Sequence, residues 1–175
     1  MRFHGLLLIA SASTVTACAV PIPPAPAASS ASVAPVATRG GYAATESRIF
    51  DLINAQRRQQ GLPALLYNPN LDRMAKIQAR NMARFQKMAH VLPDADLPTL
   101  VDRARYVGYP YGRIAENVAL GFPSAETVVE GWMNSKGHRA NILNRDLVET
   151  GIGMARSTAG SLYYCQVFGR QLSSL

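Results

Sequence analysis

The chain has 175 residues, 48% of them hydrophobic, and 18 Lys and Arg against 11 Asp and Glu give a formal net charge of +7. That length suits one folded domain of ordinary size, and the basic balance points to anionic partners. Nucleic acid is the poorer match: the charges are scattered, Arg57-Arg58 is the one adjacent basic pair, and no aromatic-rich basic motif accompanies it.

The leader reads Met1-Arg2 and then an apolar run from Leu6 to Val15. A positive end followed by about ten apolar residues is a secretory signal, too short to cross a bilayer as a mature helix. The following Val15-Thr16-Ala17-Cys18 resembles a lipobox, the cleavage site of bacterial lipoproteins. By that resemblance Cys18 becomes a lipidated N-terminus and the membrane a partner; ordinary secretory cleavage would leave it a thiol. Residues 19–41 are rich in Pro, Ala, Ser and Val, including Pro21-Ile22-Pro23-Pro24-Ala25-Pro26, and read as a tether. The expected organisation is therefore a signal peptide over 1–18, a tether over 19–41 and a domain over 42–175, exported and held on the extracytoplasmic side of a membrane.

Within the domain a first helix is expected from Thr45 to Gln60, with Glu46 in its first turn, Gly61 at its end, and Ile49, Leu52 and Ile53 on one apolar face. Leu65-Leu66-Tyr67 is a short extended piece. Asn70 is the expected cap of a second helix carrying Leu71, Met74, Ala75, Gln78, Met82 and Phe85 on one face and ending near His90. Thr99 followed by Asp102 predicts a capped third helix closing at Gly108, and Ser124 with Glu126 a fourth that buries Val128, Val129, Trp132 and Met133. Residues 151–155 and 162–168 read as two strands around the turn 157–161. Helices first and a hairpin last imply an α+β architecture with an antiparallel sheet. Cys165, in the second of these strands, reads as a small buried residue.

His4 falls in the leader, so the domain holds two histidines, His90 and His138. Neither lies in HExxH or another local metal-ligand spacing, so any site must be assembled by the fold. Glu116, followed by apolar residues, is expected to be partly exposed, and Glu130 lies one turn into the fourth helix. Singly, each has a structural reading: a helix cap for His138, a hydrogen-bond acceptor for Glu116.

Several segments together resemble the CAP superfamily of cysteine-rich secretory, antigen 5 and pathogenesis-related 1 proteins, in its bacterial branch. Ile53-Asn54-Ala55-Gln56-Arg57 with Gly61-Leu62 is similar to the first helix of that family, and Ala79-Arg80-Asn81-Met82 leading to His90 to its second. Ala115-Glu116-Asn117 resembles the "GEN" segment, and residues 131–143, from Gly131-Trp132 through His138 to Leu143, the bacterial signature. Gly151-Ile152-Gly153 and Gln166-Val167-Phe168-Gly169 resemble the final strands.

The resemblance implies a three-layer α-β-α sandwich with a cleft lined by two histidines and two glutamates, and in some members a divalent metal such as zinc on the histidines. His90, Glu116 and His138 fall on three of those positions; Ser135 stands at the fourth, leaving Glu130 as a candidate substitute. Ala115 replaces the usual glycine, and Cys165 stands where bacterial relatives have Thr. The leading expectation is a non-enzymatic envelope module that binds a lipid, glycan or peptide in the cleft. The alternatives are a metal-assisted hydrolase, with His90 and His138 as ligands and Glu116 as base, and a structural adaptor.

Overall fold

The structure, a computed structural model, describes residues 42–172; Cys18 and the tether expected over 19–41 lie outside them. The elements run α1 (Ala43–Gln59), β1 (Leu66–Tyr67), α2 (Pro69–Phe85), α3 (Leu100–Val107), β2 (Tyr111–Leu120), α4 (Ala125–Asn134), α5 (Lys136–Ile142), β3 (Glu149–Arg156) and β4 (Leu162–Gln171).

Local chemistry sets the ends of α2 and α3 and the start of α4. Thr99 and Ser124 each close a capping box with the residue three positions on, Asp102 and Thr127 respectively. The cap of α2 is Asn68 rather than Asn70: its side chain accepts from the backbone N–H groups of Asn70 and Leu71, and Pro69 opens the first turn, where its missing N–H costs nothing. This helix stops at Phe85, five residues short of His90, because Gln86 takes a left-handed conformation at φ 50° and the N–H groups of Gln86 and Lys87 both turn back to the Met82 carbonyl. His90 consequently stands on a loop.

Four strands form one sheet in the order β1-β3-β4-β2. The pairs β3/β4 and β4/β2 are antiparallel, while the two-residue β1 runs parallel to β3, so the sheet is not wholly antiparallel as expected. The strand β2 lies before α4 in the chain and forms an edge; it was not legible as a strand, and α5 was not legible as a helix.

The sheet separates two apolar cores. On one face α2 and α3 bury Leu71, Met74, Ala75, Ala79, Met82 and Ala104 against Val118, Tyr163, Cys165 and Val167. On the other, α1, α4 and α5 bury Ile49, Ile53, Val128, Trp132 and Ile142 against Ile152, Tyr164 and Phe168. The strand β3 shows why α2 can lie flat on the sheet. A Cβ on Gly151 would sit 1.9 Å from the backbone nitrogen of Asp72, and one on Gly153 would sit 2.3 Å from the carbonyl carbon of Ala75. Only residues without a side chain permit backbone-to-backbone approach of that kind. The result is the expected α-β-α sandwich.

Candidate functional site

Glu116 sits at the middle of β2 and points toward α2 and α3. Contrary to expectation it is buried, its side chain 3% exposed. Three side chains converge on its carboxylate: Arg103 Nη2 donates to Oε2 at 2.6 Å, His90 Nδ1 meets Oε1 at 2.9 Å, and Cys165 Sγ donates to Oε2 at 3.4 Å. Burial of this kind is tolerated only when the charge is matched and hydrogen-bonded. Arg103 supplies the match. It is itself fully buried, and its other terminal nitrogen donates to Gln78 Oε1 at 2.6 Å.

The network closes through the loop. Gln78 Nε2 donates to the Ala89 carbonyl at 2.6 Å, so α2 grips the backbone immediately before His90 while Glu116 grips its ring. Facing an ionised carboxylate, Nδ1 must carry the proton, which leaves the Nε2 lone pair free on a side chain that is 56% exposed. The Glu116 hydrogen bond raises the His90 pKa against the opposing effects of burial and the Arg103 charge.

His138 approaches from the opposite layer. Asn117, next to Glu116 but facing α5, donates from Nδ2 to the His138 carbonyl at 3.2 Å. Asn141 donates to the Asn117 side chain at 2.9 Å and to the Glu116 carbonyl at 3.3 Å. These bonds stitch α5 to the outer edge of β2. Burial, and then the charge of His90, lower the His138 pKa. Glu130 is exposed on α4 and makes no ion pair with this cluster.

The donor set decides what these residues could hold. His90 and His138 offer ring nitrogens, but both Glu116 oxygens are already engaged, and no group of three or more His, Cys, Asp or Glu among the described residues could hold a metal ion. Protein zinc sites commonly draw on three or four such ligands; here the two imidazoles stand without such a third ligand among the described residues. Cys165 is fully buried, and burial with the adjacent carboxylate pushes its thiol pKa well up, so it is no nucleophile.

Arg103 and Gln78 were not anticipated as site residues. The signal for Gln78 was its place in an otherwise apolar face of α2: a polar side chain there requires a buried partner. Nothing comparable marked Arg103.

The chain is thus an α-β-α sandwich whose edge strand presents a buried, arginine-matched glutamate between two histidine-bearing segments. The sequence model of the cysteine-rich secretory protein family, CAP, matches residues 50–168, and the chain belongs to that family. It is 34% identical over 128 residues to "Uncharacterized protein YkwD" of Bacillus subtilis (strain 168), covering 73% of this chain and 48% of the relative. An extracellular protein containing a SCP domain from Bacillus anthracis str. Ames superposes with a TM-score of 0.66 at 29% identity, over 73% of this chain and 41% of that one. An outer surface protein of Borrelia burgdorferi shares the fold, with a TM-score of 0.69 at 20% identity over 76% and 97% of the two chains. This chain thus spans about half or less of both Bacillus relatives.

Proposed function

We propose that this is an exported CAP-domain module, lipid-anchored through Cys18, that binds an envelope ligand at the β2 edge through His90 and His138 without turning it over. The observation that carries the reading is the state of Glu116: held by Arg103 and His90 with its side chain only 3% exposed, it orients an imidazole and is shielded from direct contact with a substrate. A fixed Nε2 lone pair on His90 and the His138 ring then serve as hydrogen-bonding groups on an open surface. Relatives described as extracellular or outer surface proteins support export.

Cosedimentation with purified peptidoglycan sacculi tests the reading, using full-length protein in mild detergent. His90→Ala and His138→Ala should each weaken retention about tenfold, the loss of one or two hydrogen bonds. Equal retention of the variants would leave only a structural role for the histidines. Release of soluble fragments by the wild type, abolished in Glu116→Gln, would establish the hydrolase instead. Anchoring is tested separately: labelled palmitate should be incorporated in the native host and lost in Cys18→Ala.

A further inference from the structure

The helix α5 has two working faces. The inner one is stitched to β2 through Asn141 and packs Ile142 into the core. The outer one carries Lys136, Arg139 and Ala140, with half-buried Leu143 just past its end, and these meet Met133 and Asn134 at the end of α4 around an open cavity of about 380 Å³. The cavity exists because Ser135 breaks the helix between α4 and α5 with an extended conformation at ψ 120°, splaying the two helices apart.

Its lining is chemically divided. Met133, Ala140 and Leu143 form an apolar floor, Lys136 and Arg139 supply two cations, and no carboxylate takes part. Among the described residues neither cation makes an ion pair, whereas Arg48, Lys76, Arg103 and Arg113 all do. Glu130, one turn before Met133 and Asn134 on α4, stays outside the lining. Volumes near this size hold small ligands, with apolar walls for the body and a few polar groups for orientation.

We propose that this cavity binds an amphipathic anion, the alkyl phosphate end of a lipid, with the phosphate on Lys136 and Arg139 and the chain over Met133, Ala140 and Leu143. A guanidinium and an ammonium three residues apart on one helix can clasp a phosphate from two sides. The inference is independent of the β2-edge reading, since the two sites lie on opposite faces of α5.

The chain supplies its own reporter. Trp132 is its one tryptophan, is 1% exposed, and directly precedes Met133. Full-length protein titrated with decyl phosphate below its micelle concentration should show a saturable change in Trp132 emission. Inorganic phosphate and decanol should each bind at least tenfold more weakly, because each offers half of the required chemistry. The double variant Lys136→Gln/Arg139→Gln, at two exposed positions, should lose at least tenfold in decyl phosphate affinity, and Leu143→Asn, at a half-buried one, should also weaken it; circular dichroism checks the fold of each. Equal binding of inorganic phosphate would mean a bare anion site. Equal binding of decanol, or no loss in the double variant, would mean an apolar groove alone. Any of these overturns the proposal.

Discussion

The two faces of the sheet each bury an arginine, and they satisfy it by opposite means. On the α2/α3 face Arg103 is matched by a carboxylate, Glu116. On the α1/α4/α5 face Arg57 is matched by carbonyl oxygens alone: Pro63 at 2.9 Å, Ile142 at 2.8 Å, Asn144 at 2.9 Å and Leu147 at 3.3 Å. The first arrangement is an ion pair whose partner is a single side chain. The second is a clamp on the chain that follows α5, and its partners belong to the backbone. A buried ion pair can be deleted as a unit, while a cation held by backbone dipoles cannot.

Arg103→Met should be the most damaging change, costing about 3–5 kcal/mol, because it strands the Glu116 carboxylate in a buried site. Adding Glu116→Met should recover most of that loss in urea unfolding. A double variant as unstable as the sum of the two singles would break the comparison.

Arg57→Met should cost about 2–4 kcal/mol, since several buried carbonyls lose a charged donor. No second-site removal of a carboxylate should rescue it. Because two of those carbonyls, Ile142 and Asn144, lie at and just beyond the end of α5, amide exchange should accelerate there before it does in α2.

The helix caps sharpen the contrast by showing what does not differ between faces. Thr99→Ala in the α2/α3 layer and Ser124→Ala in the other should each cost about 1 kcal/mol, since both remove the same local capping bond. Unfolding midpoints of the two variants measure this directly, and unequal losses would show tertiary packing reaching the caps.

The smallest effect concerns protonation. Imidazole NMR titrations should place His90 above the ordinary value of 6.5 and His138 below it. The signs then oppose. The raised group contributes stability that is complete below the unfolded pKa and lost as pH rises through its folded value. The lowered group contributes stability that is present above the unfolded pKa and lost as pH falls through its folded value. With the His90 side chain 56% exposed, screening keeps its contribution small and the stability profile near neutrality shallow. Glu116→Gln should return His90 toward 6.5; an unmoved titration would show that the carboxylate does not govern the ring.

Residues singled out by family resemblance acquire physical reasons here. In the first-helix segment, Asn54 exchanges two bonds with the backbone of Leu65, donating at 3.1 Å and accepting at 2.8 Å, and Arg57 holds the chain after α5. In the "GEN"-like segment, Asn117 binds the His138 backbone while its neighbour Glu116 faces the other way. The alternation of a strand is what lets adjacent residues serve opposite layers. Legibility of the site was partial for the same reason: His90, Glu116 and His138 stood out as segments, but the depth of Glu116 depends on Arg103, thirteen residues away in a different element.

By itself the sequence determined the features that rest on neighbouring residues: the caps at Thr99 and Ser124, the apolar face of α2, the closure at Gly108 and the β3/β4 hairpin. Each is a short-range matter of hydrogen-bonding side chains, periodicity or turn chemistry. Tertiary structure alone decided the rest. The segment Tyr111–Leu120 contains Gly, Arg, Glu and Asn, poor strand formers, and is a strand because it pairs with β4 along nearly its whole length. The seven residues of α5 are too few to hold a helix unaided and are kept by Arg57 and Asn141. The charge of Glu116 survives burial because α3 delivers an arginine to it. Pairings of that kind join residues far apart in the chain, and only the fold brings them within bonding distance.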